Sequence, residues 1–160
     1  MITSVFGFYK TVLLKNNRKI AINKAKTSLG IVRKAVYKYE LNTETIKKLF
    51  ITMVQPVLTY GAEIWCDVSM FQHIDSVIVS LAKETLGVSR NTSNCAALLE
   101  LGWLPTSYQI EKNKINFFAR VKTSRTKLLQ RQCIEFQEKR SNPKLWSKQC
   151  IELLKKILWN

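Results

Sequence analysis

The clearest periodic pattern of the chain runs from Arg18 to Tyr39. Apolar residues recur there at steps of three and four, which is the spacing of one face of an α-helix. The residues of this stripe are Ile22, Ala25, Leu29, Val32, Val36 and Tyr39. Residues 1–14 lack that period and are rich in β-branched and aromatic side chains, so they predict one strand or a β-turn pair. We therefore expect a short β-like segment before the first helix.

A second amphipathic pattern begins after the capping sequence Asn42-Thr43 and continues to Val57. Its apolar positions are Ile46, Leu49, Phe50, Met53, Val54 and Val57. Pro56 removes a backbone donor and clashes with the preceding turn, so a kink or an ending is expected near Gln55. Gly61 then supplies the positive φ that turns the chain. We expect Tyr60 and Trp65 to anchor this corner. Glu63 is expected either to cap a neighbouring helix or to pair with a lysine.

Several further helices follow in the C-terminal half. One is predicted from Met70 to Leu86 with Gly87 as its stop, and a short one from about residue 94 to residue 101 with Gly102 as its stop. A longer helix begins near Tyr108, with a break near residues 123–124, and a last one starts at Pro143. The sequence therefore predicts an all-α, irregular bundle of five to six helices. We expect a single domain over residues 1–160, whose core includes the second and third helices, Trp65 and Trp103.

The net charge of the chain restricts the possible functions more than its hydrophobic content does. The chain has 26 Lys and Arg against 11 acidic residues, a formal net charge of +15. A compact protein with this excess favours a polyanionic partner, of which nucleic acid is the commonest and an anionic membrane surface the second. No uncharged run reaches the roughly 18 residues that a membrane span needs, and no signal peptide is recognisable. We expect an intracellular protein, nuclear or cytoplasmic.

The first helical segment carries the strongest binding signal, because no acidic residue precedes Glu40. Lysine and arginine can neutralise phosphates, and exposed aromatics such as Tyr37 can stack on bases. The alternative is an ordinary solvated helix face, with the aromatic residues in the core. The candidate contacts to RNA or DNA phosphates are Lys19, Lys24, Lys26, Arg33, Lys34 and Lys38, followed by Lys47, Lys48, Arg120 and Lys122.

Residues that would support catalysis are sparse. Glycine-rich phosphate loops are absent, His73 is the only histidine, and the four cysteines form no C-x-x-C pair. Asp67 and Asp75 could meet Glu63 around a metal ion, but ordinary surface acids are the favoured interpretation. We expect no metal and no cofactor. The cysteines are expected to be reduced and to fill helix interfaces.

The corner and a segment downstream of it carry a family pattern. Residues 53–65, MVQPVLTYGAEIW, contain V-x-P-x-L-x-Y-G-x-E-x-W, and residues 86–105, LGVSRNTSNCAALLELGWLP, contain L-G-V-x-R-x-T and E-L-G-x-x-P. These segments resemble the region beyond the polymerase palm in reverse transcriptases of non-LTR, LINE-like retrotransposons. The match is dense over residues 46–105 and loose on either side. Its structural motif residues are Pro56, Tyr60, Gly61, Glu63, Trp65, Gly102 and Pro105.

The resemblance implies the thumb and post-palm part of an RNA-directed DNA polymerase, which in this family grips template and primer. Residues 1–16 would then correspond to a remnant of the palm edge. The chain has no adjacent aspartates, so the palm motif of such enzymes is missing and no activity is expected of the chain alone. The resulting expectation is a non-catalytic, sequence-tolerant binder of template–primer-like duplexes, from a truncated element copy or a gene model with misplaced bounds. The alternatives are a helical protein-interaction or structural remnant, and one piece of an active polymerase.

Overall fold

The structure is a computed structural model that describes residues 2–123, 129–140 and 145–158, with side chains over residues 19–123, 131–140 and 145–156. Within these ranges every regular element is helical, which confirms the all-α prediction. The helices are α1 (Ile2–Tyr39), α2 (Thr43–Leu49), α3 (Gln55–Thr59), α4 (Ala62–Trp65), α5 (Phe71–Leu86), α6 (Asn94–Glu100), α7 (Thr106–Thr123), α8 (Leu129–Glu138) and α9 (Trp146–Leu158). A π-helical turn, Phe50–Val54, joins α2 to α3, and a 3₁₀ turn, Val68–Met70, precedes α5.

The N-terminal segment differs from its prediction. Residues 2–14 continue α1 as helix, so the expected strand or β-turn pair is wrong. β-Branched and aromatic residues disfavour a helix by only a fraction of a kcal/mol each, and a lone hairpin is marginal in water. Once residues 19–39 are helical, adding a further turn avoids the costly step of starting a new helix. Extension of the helix from residues 19–39 therefore outweighs the weak preference of residues 2–14 for a strand.

The second predicted helix is divided, and with the separate helices α4 and α8 this makes the described helices outnumber the five to six expected. In the π-helical turn the N–H of Gln55 donates to the carbonyl of Phe50, five residues back. Pro56 then occupies the first turn of α3, where its missing N–H is tolerated. The wider turn gives the proline ring room that a continuous α-helix lacks. The interruption predicted near Gln55 is confirmed.

Three further breaks coincide with glycines in the left-handed region. Gly61 has φ +62°, Gly87 has φ +65° and Gly102 has φ +61°. Gly87 closes α5, and its N–H donates to the carbonyls of Glu84 and Lys83. The predicted stops at these glycines are confirmed. The predicted start of the last helix at Pro143 lies outside the described residues, and α9 is described from Trp146.

The chain divides into two compact units, residues 1–108 and residues 109–160. The prediction of one domain over residues 1–160 stays a prediction. In the first unit, the core includes Leu29, Phe50, Leu58, Ile74 and Leu81, each at most 2% exposed. The expected burial of the second and third predicted helices is confirmed for most of their apolar positions, but Met53 is 39% exposed. Trp103 is buried as expected, whereas Trp65 is only half-buried, so its predicted place in the core is wrong.

The second unit has a smaller core of its own. Its buried members are Phe118, Val121, Ile134 and Cys150, and partly buried hydrophobic residues pack against them. The Trp146 ring meets the rings of Phe117 and Phe118 with centroid distances of 5.8 Å each. α7 and α9 therefore meet through aromatic edges, which hold the helices of this unit together.

Candidate nucleic-acid interface

The outer face of α1 carries a run of exposed lysines. They are Lys19, Lys24, Lys26, Lys34 and Lys38. The buried stripe of the same helix is Ala25, Leu29 and Val32. At 3.6 residues per turn the five lysines fall within roughly 160° of the helix circumference, on the side away from that stripe. Over residues 19–38 they span about 28 Å at 1.5 Å per residue, somewhat less than one turn of a nucleic-acid duplex.

This face has no acidic residue to neutralise it, since the first acid of the chain is Glu40. Within the described part of the chain none of the five lysines forms an ion pair. Tyr37 stands on the same face and is 77% exposed, and the Lys38 ammonium lies 5.2 Å from the Tyr39 ring. Positive charge and exposed aromatic rings are thus combined on one helix, as a surface that contacts phosphates and bases requires.

Arg33 behaves differently from the lysines around it. Its Nε and Nη2 donate to the two carboxylate oxygens of Glu84 at 2.7 and 2.6 Å, and Nη2 also donates to Ser80 Oγ at 3.1 Å. This bidentate pair joins α1 to α5. The Arg33 charge is therefore used within the fold, in contrast to the neighbouring Lys34.

The two candidate lysines of α2 are also placed by structural contacts. Lys47 is half-buried, and its Nζ donates to the backbone carbonyl of Gly102 at 2.9 Å. That contact ties α2 to the chain just beyond α6. Lys48 is exposed and lies 3.3 Å from Glu44, one turn earlier. A surface pair of this kind is weak, so Lys48 remains accessible to an anion.

The remaining candidate residues, Arg120 and Lys122, form a second basic zone in the second unit. Arg120 is exposed, with its guanidinium carbon 5.6 Å from the Phe117 ring centroid. Lys122 is paired with Glu138 at 2.7 Å. Phe118, an aromatic residue of the same zone, is buried in the core. Arg120 and Lys122, the two candidates of this zone among the described residues, therefore offer less free charge than the lysines of α1, and the Phe118 ring offers no accessible stacking surface.

The proline–glycine corner is held by its tryptophan. Trp65 Nε1 donates to the backbone carbonyl of Tyr60 at 3.1 Å, which confirms Trp65 as an anchor. The Tyr60 ring is 87% exposed, so the predicted anchoring role of Tyr60 is wrong. Gly61 follows Tyr60 in the left-handed region, which glycine adopts without strain, and the backbone carbonyl of Tyr60 rather than its ring accepts the hydrogen bond from Trp65. Glu63 is half-buried in α4, and the two alternatives for its role remain open.

An apolar groove lies beside this corner, between α1 and the segment α3–α4. Its volume is about 690 Å³, within the size range of small-molecule pockets of roughly 300–1,000 Å³. Side chains of α1 and of the corner line it, including Ile20, Lys24, Pro56, Tyr60, Ile64 and Trp65. The sequence does not indicate this groove, because it arises only where two distant segments meet.

The aspartates serve as helix caps rather than metal ligands. Asp75 accepts hydrogen bonds from the N–H and the hydroxyl of Ser107 at 2.8 and 2.6 Å, at the first turn of α7. Asp67 accepts from the N–H of Ser69 at 2.6 Å. In the described ranges no group of three His, Cys, Asp or Glu side chains could hold a metal ion. Capping satisfies the exposed N–H groups at a helix start and engages these carboxylates.

A buried polar cluster in the second unit was not apparent from the sequence. Lys114 is only 3% exposed, and its Nζ donates to Gln149 Oε1 at 3.2 Å. Burial raises the pKa of the adjacent Cys150 thiol from its ordinary value of 9.0 to about 12, against the opposing charge of Lys114. The thiol therefore stays protonated and unreactive. Cys66 is buried too, whereas Cys95 and Cys133 are exposed, so the expected burial of the cysteines holds for half of them.

Comparison with known proteins adds no relative to this picture. No protein-family model, no curated protein and no solved structure matches the chain. None of the described helices combines the length and the apolar composition that crossing a membrane demands.

Proposed function

We propose that the chain is a sequence-tolerant nucleic-acid-binding protein that contacts duplex phosphates through the outer face of α1. The observation that carries this proposal is the acid-free row of five exposed lysines along about 28 Å of helix. The resemblance of residues 46–105 to LINE-like reverse transcriptases supports it, since that region grips template and primer in the family. Under this proposal the chain is a non-catalytic thumb and post-palm fragment of an RNA-directed DNA polymerase. It would act inside the cell, in the nucleus or cytoplasm.

Phosphate contact alone is enough for this function. Each lysine that neutralises a phosphate releases a counterion, so binding weakens with salt by about 0.9 logarithmic units per contact on B-DNA. Backbone contacts carry no base sequence, which makes the binding sequence-tolerant. No cofactor or metal ion is required by this proposal. RNA–DNA and DNA duplexes both present the necessary phosphate rows.

The test measures the salt dependence of binding to a fluorescent template–primer duplex by anisotropy. A triple variant, Lys19→Gln, Lys26→Gln and Lys34→Gln, is compared with a charge-matched control, Lys139→Gln, Lys155→Gln and Lys156→Gln. If all three α1 lysines contact phosphates, the first variant loses roughly 2.5–3 units of log–log salt slope and the control loses far less.

Two results would count against the proposal. One is the absence of binding at about 50 mM salt, where phosphate contacts are strong. The other is an equal loss of affinity in both triple variants, which would show that only net charge matters. Reading the genomic DNA immediately upstream for an in-frame Asp-Asp palm motif separates a fragment from a piece of an active polymerase.

The apolar groove favours one second candidate, a helical protein-interaction remnant. A groove of this size beside the exposed Ile64 side chain is a feature that peptide-binding surfaces share. It predicts no duplex binding that depends on salt or on the α1 lysines. The same anisotropy experiment therefore discriminates the two candidates.

A further inference from the structure

We propose that the groove between α1 and the α3–α4 corner holds an unpaired nucleobase, so that the protein prefers a duplex that ends in a single-stranded overhang. This inference rests on the proposed function, because it assumes that the α1 lysines hold the adjoining phosphates. It adds a binding site for a base to a surface that otherwise contacts only the phosphate backbone of the nucleic acid.

The groove offers the apolar walls and the aromatic ring that a base needs. Ile20 and Ile64 line it and are 50% and 55% exposed, although burial of such side chains is normally favourable. The Tyr60 ring is 87% exposed at the same groove. A planar base covers apolar walls and stacks on a ring at once, and stacking tolerates every base because each has a π-face.

The corner is built so that its backbone and indole stay fixed while the Tyr60 ring projects. The indole N–H of Trp65 is held by the Tyr60 carbonyl at 3.1 Å. Gly61 sits at φ +62°, and a Cβ there would lie 3.7 Å from Trp65 Nε1, so the indole lies directly against the glycine. These two contacts hold the Tyr60 backbone and the Trp65 indole in place before a ligand arrives, which lowers the cost of ordering the corner on binding.

Charge decides which occupant fits the groove. Lys24 lines the groove and also belongs to the lysine row on α1. The whole of α1 lacks acidic residues. An apolar segment of a second copy would bring further positive charge to this rim, because the chain carries +15. A nucleic-acid strand instead brings a phosphate for Lys24 and a base for the groove.

The experiment uses the full chain and two DNA probes. One is a blunt duplex of about 20 base pairs, two helical turns long, and the other is the same duplex with a short 3′ overhang that contains 2-aminopurine. Anisotropy gives the two affinities, and 2-aminopurine quenching reports stacking of the unpaired base. The wild type is compared with Tyr60→Ala and with Tyr108→Ala, a matched control at a tyrosine that is 51% exposed away from the groove.

The wild type should bind the overhang probe roughly five- to hundredfold more tightly than the blunt probe, as one base–aromatic stack contributes. Tyr60→Ala should abolish both this preference and the quenching while leaving the blunt-duplex affinity unchanged. Tyr108→Ala should retain both. Because Tyr60 is almost fully exposed, its truncation leaves the fold intact.

The failures are distinguishable. Equal binding of both probes with a steep salt dependence overturns the base site and leaves the proposed function standing. A preference that survives Tyr60→Ala also overturns it, since the base then lies elsewhere. Absence of binding to either probe overturns both proposals. Analytical sedimentation of Ile64→Asp tests whether the groove binds a second copy of the chain instead. If this variant converts a dimer to a monomer without changing the overhang preference, the groove is a self-association surface and the inference fails.

Discussion

Arg33 and Lys34 are adjacent on α1, yet the structure predicts opposite effects for their removal. Arg33→Gln breaks the bidentate contact with Glu84 and should reduce stability with little change in duplex binding. Lys34→Gln removes an exposed charge and should reduce duplex binding with little change in stability. The contrast separates a lysine of the binding face from an arginine that the fold already uses.

The magnitude follows from the geometry of the pair. Arg33 donates to the two oxygens of Glu84 at 2.7 and 2.6 Å, but their side chains are 34% and 38% exposed. Solvent screening therefore holds the coupling to about 1 kcal/mol, the upper part of the range for exposed pairs, even with bidentate geometry. For a chain of this length the loss corresponds to a fall in Tm of about 2–4 °C.

The assay is a double-mutant cycle of Arg33→Gln and Glu84→Gln followed by urea denaturation, which isolates the coupling of the pair. Salt-dependent duplex binding is measured on the same four proteins and on Lys34→Gln. Glu84→Gln alone should strengthen duplex binding, because it frees the guanidinium and removes a negative charge. A coupling near zero, together with a loss of salt slope in Arg33→Gln equal to that in Lys34→Gln, would refute the reasoning.

Further predictions concern the corner, the cap and the thiols. Gly61→Ala should cost about 1 kcal/mol in thermal unfolding because alanine disfavours φ +62°, and an equal Tm would contradict this. Asp75→Asn should cost about 1 kcal/mol in urea unfolding by weakening the charged cap of α7, whereas an unchanged midpoint would show that the cap contributes nothing. Iodoacetamide near pH 8 should spare Cys150, as peptide mass analysis can verify, and modify the exposed thiols Cys95 and Cys133. The unfolded Cys150 thiol ionises near 9.0 and the folded one near 12, so its stabilising effect is complete below pH 9 and is lost between pH 9 and 12; Cys150→Ala should flatten that decline.

Local chain geometry was predictable from the sequence. Pro56 restricts the backbone and removes a donor, whereas Gly61 and Gly87 permit a positive φ, and each of the three breaks a helix where expected. The prediction of a β-like N-terminal segment is wrong because the preference of a side chain for strands is weak and depends on a sheet in which the strand can pair. Glycine and proline shape the backbone through their own chemistry, whereas a strand is stable only when another strand pairs with it.

Contacts between distant residues were not predictable. Arg33 and Glu84 are 51 residues apart, and Asp75 and Ser107 are 32 apart. No periodicity relates such positions, since their meeting depends on how the helices pack. The groove was not predictable for the same reason, because its two sides come from residues 20–24 and residues 56–65, which are distant in sequence. The exposure of the Tyr60 ring was not predictable either, because only the packing of the corner decides on which side the ring lies.

The π-helical turn Phe50–Val54 has a consequence for how this corner tolerates change. Such a turn holds one residue more than an α-helical turn would over the same path. Deleting a single residue there would restore an ordinary α-helix over nearly the same path, so Tyr60 and Trp65 would keep their direction relative to α1. The same deletion from a regular α-helix would rotate everything after it by roughly 100° about the helix axis. What the shortened turn would lose is the room for the ring of Pro56, which would then meet the carbonyl of the preceding turn.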